Sequence, residues 1–158
     1  MVKFVKLGVF FKKIIIILLK EVNEMRLWHY HLIPFLPQQM LVSQWRECIA
    51  IKRQWEKGTL KHRLVNYVKC YSREFFLQYV QQVVRELDKR NVKYQEKYYQ
   101  EIDKFCWEDE MSFHPCDYPQ HDNRYLKQCL YNLQEKADRG IISQEEWKII
   151  EDKFGDYL

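Results

Sequence analysis

The sequence predicts an all-α protein, a single compact helical domain of about five to six helices with an N-terminal extension. Only four Gly and four Pro interrupt the 158 residues, so helix breakers are few and loops should be short. Beyond residue 38, Leu, Gln, Glu, Lys and Arg dominate, and all five favour helices. A hydrophobic content of 47% is typical of a globular protein, and a chain of this length can form one domain with one core.

The first helix follows a short apolar lead. Residues 25–36 form this lead, and Pro37 stands where a first helical turn tolerates proline. Apolar residues at helical spacing predict a helix over residues 38–53. Its apolar stripe consists of Leu41, Trp45, Cys48 and Ile49. A Gly-Thr loop at 58–59 comes next, and residues 61–71 should form a short helix or a mixed segment.

Capping residues and breakers delimit the middle helices. Ser72 can cap a helix that runs to about Arg90, and another helix is expected over residues 95–106. Residues 108–121 contain two prolines and should be irregular. The inward positions of the Ser72 helix are Phe76, Tyr79, Val80, Val83, Val84 and Leu87.

Two helices complete the chain. Asp122 can cap a helix that ends near Arg139, because Gly140 then occupies the usual C-terminal position. Ser143 and Glu146 have the spacing of a capping box, and the flanking apolar residues suit a hydrophobic staple. The staple pair is Ile142 and Trp147, and the inward face of the last helix is Trp147, Ile150 and Phe154.

The first 24 residues differ in character from the rest. They are rich in Lys, Ile, Phe and Val, but their longest apolar run is too short to span a bilayer and no small-residue cleavage site follows it. One interpretation is a basic amphipathic segment on a membrane surface. The other is an upstream leader, because Lys20-Glu21-Val22 can be encoded by a purine-rich sequence that bacterial ribosomes pair with. We therefore expect translation to begin at Met25.

The charges are unevenly distributed. The net charge is +4, of which residues 1–24 contribute +3. Residues 25–105 carry 15 basic and 8 acidic side chains, whereas residues 106–158 carry 6 and 12. Seven basic residues and one acid lie between Lys52 and Arg73. This pattern suits either a polyanion bound on one face or a solvated basic loop.

The cysteines indicate reduced thiols and a cytoplasmic protein. They are five, widely spaced, and include no Cys-x-x-Cys pair. Zinc is a minor alternative, because the metal-ligand types after residue 105 have no compact zinc spacing. Those residues are Cys106, His114, Cys116 and His121. We expect no metal and no cofactor, and we expect a monomer. The histidines of the lead, His29 and His31, should be partly buried or make surface contacts.

Several short motifs after residue 24 form a recognisable set of blocks. The first block is Met25-Arg26-Leu27-Trp28-His29, Leu32-Ile33-Pro34, Leu36-Pro37, Gln39 and Gln44-Trp45-Arg46-Glu47-Cys48. The later blocks are Lys61-His62, Val65-Asn66-Tyr67-Val68, Tyr118-Pro119, His121-Asp122 and the helix 126–136. These motifs resemble the pyrimidine-dimer DNA glycosylase family of the endonuclease V type, and more closely a bacterial branch of it, and the likeness covers most of residues 25–139.

The resemblance implies a DNA-repair glycosylase with abasic-site lyase activity on pyrimidine dimers or related lesions in double-stranded DNA. In that family a chain-terminal α-amine attacks C1′ of the sugar beside a glutamate, and an imine forms. By motif position the catalytic residues are Met25, Arg26 and Glu47, and Arg46 holds phosphate. Lys136 falls where the family has a basic substrate-contacting residue, and we also expect Arg53, Lys61, His62 and Arg63 to bind DNA. An α-amine suits imine chemistry because its ordinary pKa is about 7.7–8.0.

The sequence also departs from the family pattern. Arg26 replaces a small residue that permits removal of the initiator methionine, so the amine of Met25 would be the nucleophile. Leu27 and Met40 replace a basic residue and a histidine. Two alternatives stay open: a non-catalytic DNA-binding module on the same scaffold, and a peripheral membrane protein anchored by residues 1–24.

Overall fold

The computed structural model describes residues 25–158, so the leader and membrane interpretations of residues 1–24 lie outside the described residues. Its five α-helices are α1 (Gln38–Glu56), α2 (Arg73–Lys89), α3 (Glu96–Trp107), α4 (Asn123–Asp138) and α5 (Gln144–Phe154). Three short 3-10 segments occur at Tyr30–Phe35, Asn66–Cys70 and Gly155–Tyr157. No strand occurs in this part of the chain. The predicted all-α domain of five to six helices is confirmed.

The N-terminal lead is part of the core. Helices α1, α2 and α3 pack on one another, α4 and α5 form a second pair, and the 3-10 segment of the lead packs against α2. Leu27, Leu32 and Ile33 are at most 1% exposed, so this stretch without α-helix is buried as deeply as the helices. The burial fixes the backbone that immediately follows Met25.

The predicted caps are mostly confirmed. The Asp122 carboxylate accepts from Tyr125 N at 2.8 Å, and Ser143 and Glu146 form both hydrogen bonds of the capping box. Gly140 has φ +69° just after α4, where its missing Cβ removes the steric penalty. Ser72 occupies the N-cap position of α2, but its side chain makes no capping hydrogen bond.

The end of α1 differs from the prediction, whereas the segment that follows it agrees with the predicted short helix or mixed segment. Helix α1 continues to Glu56 instead of ending near residue 53, and its end is closed by Thr59 and Leu60, whose amides donate to the Gln54 carbonyl. Residues 61–71 contain a short 3-10 segment but no α-helix. Lys69 supports this connection by donating to the Leu60 carbonyl at 2.7 Å. Lys69, which belongs to the basic run of the sequence, therefore makes a hydrogen bond that supports the fold.

The five cysteines form no disulfide, and all except Cys70 are buried. In residues 25–158 no three His, Cys, Asp or Glu side chains lie close enough together to hold a metal ion. None of the helices between residues 25 and 158 has the length and apolar character needed to cross a bilayer.

Candidate active site

Gln44, on the first half of α1, binds the lead. Its side-chain oxygen accepts from Trp28 N at 2.8 Å, and its amide nitrogen donates to Arg26 O at 2.9 Å. The same nitrogen lies 3.2 Å from Glu47 Oε2. One fully buried amide therefore aligns the lead along α1 and orients the carboxylate one turn away.

Two tyrosines hold the same stretch of lead from other helices. Tyr79 of α2 donates its hydroxyl to Trp28 O at 2.7 Å, and Tyr125 of α4 donates to Leu27 O at 2.6 Å. With Gln44, three helices thus bind the three successive carbonyls of residues 26–28. Because buried polar groups are costly to leave unpaired, this set of bonds specifies one path for the lead.

Glu47 meets the lead at the backbone of Arg26. The Arg26 amide donates to Glu47 Oε2, with 3.4 Å between nitrogen and oxygen. Burial raises the pKa of the Glu47 carboxyl from its ordinary value to about 7, against the opposing effects of the Arg26 amide and charge, Lys136 and Gln44. Near neutral pH this group can therefore both accept and donate a proton.

Two cations share the environment of Glu47. The Arg26 guanidinium lies 4.9 Å from the centre of the Trp28 ring, within cation–π range. Burial lowers the pKa of the half-buried Lys136, together with the charges of Arg26 and Arg139, while Glu135 and Glu47 act in the opposite direction. The structure thus brings Arg26, Glu47 and Lys136 together, although they are far apart in sequence.

A groove lined by basic and aromatic side chains runs between α1 and the start of α3, and Arg46, which precedes Glu47 in the sequence, lines it. Its two adjoining depressions, of about 220 and 350 Å³, share Arg46, Ile49 and Tyr98. Arg53 lies in the groove with its guanidinium 5.0 Å from the centre of the Tyr98 ring. The other aromatic walls are Trp45 and Tyr94, which pack edge to face at 5.5 Å. Arg46 and Arg53 share one face of α1, because both line the same depression.

The predicted basic loop is separate from this groove. Lys61 and Arg63 are exposed after the end of α1, and half-buried His62 accepts from Leu64 N at 3.4 Å. Part of the basic run has structural contacts instead. Lys52 is 7% exposed and bonds Glu56 at 2.7 Å, and Arg73 donates to Phe105 O at 2.8 Å.

Two buried histidines form a network that the sequence did not predict. His29 donates from Nε2 to the His121 carbonyl at 2.8 Å, and its Nδ1 accepts from His31 N. His121 accepts from Tyr30 N at Nδ1, and its Nε2 lies 2.8 Å from the Tyr67 hydroxyl. Burial lowers the pKa of His29 to about 4 and that of His121 to about 3. His29 is thus more deeply buried than expected, and His31 is exposed.

Sequence reasoning missed Gln44, Tyr79 and Tyr125 as parts of the site. Gln44 had a usable signal, since it precedes Glu47 by three residues and therefore lies on the same helix face. The tyrosines had none, because their partners are carbonyls 51 and 98 residues away along the chain.

The fold and the site define a small helical protein with a half-buried glutamate at its N-terminal lead, beside a basic and aromatic groove. Residues 25–100, a little under half of the chain, match the family model described as pyrimidine dimer DNA glycosylase. This match supports the resemblance to the DNA-repair family of pyrimidine-dimer DNA glycosylases, and DNA is the substrate that this family implies. The match spans the lead, α1, α2 and the start of α3. Neither curated proteins nor solved structures gave a match.

Proposed function

We propose that the domain 25–158 is a bifunctional enzyme that removes a damaged pyrimidine from double-stranded DNA and then cleaves the strand through an imine. The observation that carries this proposal is the 3.4 Å contact between the Arg26 backbone nitrogen and Glu47. A chain terminus at this place would put an α-amine beside a carboxyl that titrates near neutrality.

The nucleophile is the α-amine of a chain that begins at Met25 or, after removal of that residue, at Arg26. In the second form the amine nitrogen is the atom already 3.4 Å from Glu47. In the first form covalent geometry keeps the Met25 nitrogen within about 7 Å of the same oxygen. Both amines have an ordinary pKa of about 8, so a usable fraction is uncharged at neutral pH. An amide nitrogen inside a longer chain lacks this nucleophilicity.

The proposed steps balance without a cofactor. The amine attacks C1′ and loses a proton, while the base departs with the glycosidic electron pair and takes up a proton. Cleavage of the C1′–O4′ bond with protonation of O4′ then opens the sugar to an iminium, which acidifies the C2′ proton. Loss of that proton breaks the C3′–O bond and releases the 3′ phosphate, after which water hydrolyses the imine. Glu47 stabilises the cationic sugar as a carboxylate and exchanges a proton with the amine and the substrate.

The cations have separate roles in this proposal. Arg46, Arg53 and Lys136 flank the site and hold the phosphates of the damaged strand, while Lys61, His62 and Arg63 contact the backbone further along the duplex. The aromatic walls of the groove suit an unstacked base next to the lesion. All of these roles fall to residues of one chain, and DNA is the substrate, so we propose that the protein acts as a monomer in the cytoplasm.

Borohydride trapping tests the mechanism. Protein made from its native gene is first weighed intact to identify its N-terminal residue, then incubated with abasic-site duplex and borohydride. We expect a covalent adduct whose modified peptide begins at Met25 or Arg26. The adduct should be lost in Glu47→Gln and after acetylation of the terminal amine, and kept in the matched variant Glu56→Gln.

Other outcomes would contradict the proposal. Protein shown to begin at Met25 or Arg26 that binds the duplex but gives no adduct would be a non-catalytic DNA-binding module on this scaffold. An adduct on an internal lysine would remove the terminal amine from the mechanism. Equal membrane sedimentation of the full chain and residues 25–158 would reject the membrane-anchor alternative.

A further inference from the structure

A second cleft lies on α2, away from α1. It has a volume of about 300 Å³, and four of its lining residues recur at helical spacing, which places them on one stripe of α2. These are Glu74, Gln78, Gln81 and Arg85. Phe76, Tyr79 and Val83 face the core from the opposite side of the helix. Helix α2 therefore separates this cleft from Glu47 and the groove.

Two exposed aromatic rings form one wall of the cleft. Trp107 is 51% exposed and Phe113 is 73% exposed, with ring centroids 5.6 Å apart and planes tilted by 48°. Both line the same cleft with Met111. Neighbouring aromatic side chains that are both more than half exposed to solvent are typical of a binding site.

Buried bonds brace the loop that presents Phe113. Glu74 is 2% exposed, and its carboxylate accepts from Ser112 N, Ser112 Oγ and Phe113 N at 2.7–2.8 Å. Phe113 itself has φ +59°, which is unfavourable for a residue with a bulky side chain. Because the backbone is held in this conformation, the ring is presented to solvent instead of joining the core.

The surroundings of the two rings are acidic. Residues 107–117 contain Glu108, Asp109, Glu110 and Asp117 and no Lys or Arg. Arg73 bonds the first two, at 3.5 Å from Glu108 and through its amide at 2.9 Å from Asp109. Glu110 and Asp117 are exposed in the same segment, and Arg85 is the basic side chain among the residues that line the cleft. The four acids of this segment outnumber Arg73 and Arg85, so the surroundings keep an acidic excess that disfavours a phosphate backbone and complements a cation.

From this combination we infer that the cleft of Trp107 and Phe113 is a docking site for an extended protein segment that presents an arginine side chain. The planar guanidinium packs on the ring faces and pairs with the nearby carboxylates. The amides of Gln81 and Gln82 lie along the cleft floor, where they can bond the main chain of the segment. Such a partner would bind while the DNA surface across α2 stays open.

A defined peptide probe tests the inference on the full chain. A fluorescein-labelled peptide of alternating arginine and serine is titrated by anisotropy, with an acidic peptide of equal length for comparison. We expect Trp107→Ala and Phe113→Asn each to raise the Kd of the basic peptide about tenfold. Asn tolerates positive φ, so the loop should keep its path. The control is Tyr131→Ala, which removes an aromatic ring that is also 51% exposed.

Three results would overturn this assignment without touching the repair chemistry. The Kd values of both cleft variants could stay within about twofold of the parent, or Tyr131→Ala could cause the same loss. The cleft variants could instead weaken duplex binding, which would make the rings part of the DNA interface. Borohydride trapping measured on the same variants reports the proposed catalysis separately, because neither residue touches the site of Glu47.

Discussion

At Glu47 the protein keeps a carboxyl where burial opposes its ionisation. The pKa of this group is raised to about 7, so between its unfolded value near 4.5 and pH 7 the folded state binds more protons than the unfolded state. Stability therefore falls as the pH rises through this window, and the full cost is present above pH 7. A residue retained at such a cost fits a role in proton transfer better than a structural role.

Replacing Glu47 by Gln should stabilise the fold in alkali. Gln keeps an oxygen for the Arg26 amide and cannot ionise, so we expect the free energy of unfolding to rise by ~1–3 kcal/mol at pH 8 and by a fraction of that at pH 4.5. Urea unfolding at both pH values measures this. Glu56→Gln is the control with the opposite sign, since the bond from Lys52 lowers the pKa of Glu56. A loss of stability in Glu47→Gln at pH 8 would refute the argument.

The buried histidines should make the lead sensitive to acid. The pKa of His29 is lowered to about 4, so between pH 6.5 and pH 4 the unfolded state binds the proton first and stability falls as the pH falls. Glu47 acts in the opposite direction over this range, so variants must be compared with the parent. The free energy of unfolding of His29→Gln, taken relative to the parent, should change by about 2 kcal/mol between pH 6.5 and 4.5. Urea unfolding measures this difference, with His114→Gln as the matched substitution at an exposed loop position.

The position of Glu47 on α1 was predictable from the sequence, but its environment was not. The motif around Glu47 predicted the helix and the carboxylate, and the resemblance predicted the approach of the lead. The bonds from Gln44, Tyr79 and Tyr125 to the lead depend on where three helices meet, and no local sequence pattern encodes the arrangement of those helices. The basic run shows the same limit, because Lys52 and Lys69 have internal partners that their charge cannot reveal.

Among the elements, the α-helices were predictable and the segments without α-helix were not. Local signals such as the Asp122 cap and the Ser143–Glu146 box act within one turn, so the sequence specifies them directly. For the lead, the sequence indicates only a short apolar stretch. Its 3-10 segment and deep burial depend on contacts with α2 and with the loop at His121. Residues 61–71 stayed ambiguous for the same reason.

The two serine N-caps should differ in their contribution to stability. The Ser143 hydroxyl accepts from Glu146 N at 3.1 Å, whereas the side chain of Ser72 makes no capping bond. Ser143→Ala should therefore lower the free energy of unfolding by about 1 kcal/mol, and Ser72→Ala by clearly less. Thermal and urea unfolding of the two variants measure this contrast. Equal losses would mean that the observed cap geometry does not determine the energy.

At the scale of the whole molecule, the two charged halves of the sequence correspond to different surfaces. The basic half supplies the groove of Arg46 and Arg53 and the exposed loop of Lys61 and Arg63. The acidic half supplies the loop 107–117 on the far side of α2. A nearly neutral domain can in this way direct a polyanion to one face and a cationic segment to another.

The salt dependence of DNA binding should identify the basic surface. Each phosphate contact releases counterions, so the slope of log K against log salt should become shallower by roughly 0.9 for each contact that is lost. The double variant Lys61→Glu with Arg63→Glu should weaken duplex binding and reduce this slope by roughly 2, whether or not the duplex carries a lesion. The matched pair Lys148→Glu with Lys153→Glu, exposed on α5, makes the same charge change away from the basic half and should leave the slope within error. Anisotropy titrations at several salt concentrations measure both slopes, and an equal change in the two pairs would mean that net charge, and not a defined face, governs the encounter with DNA.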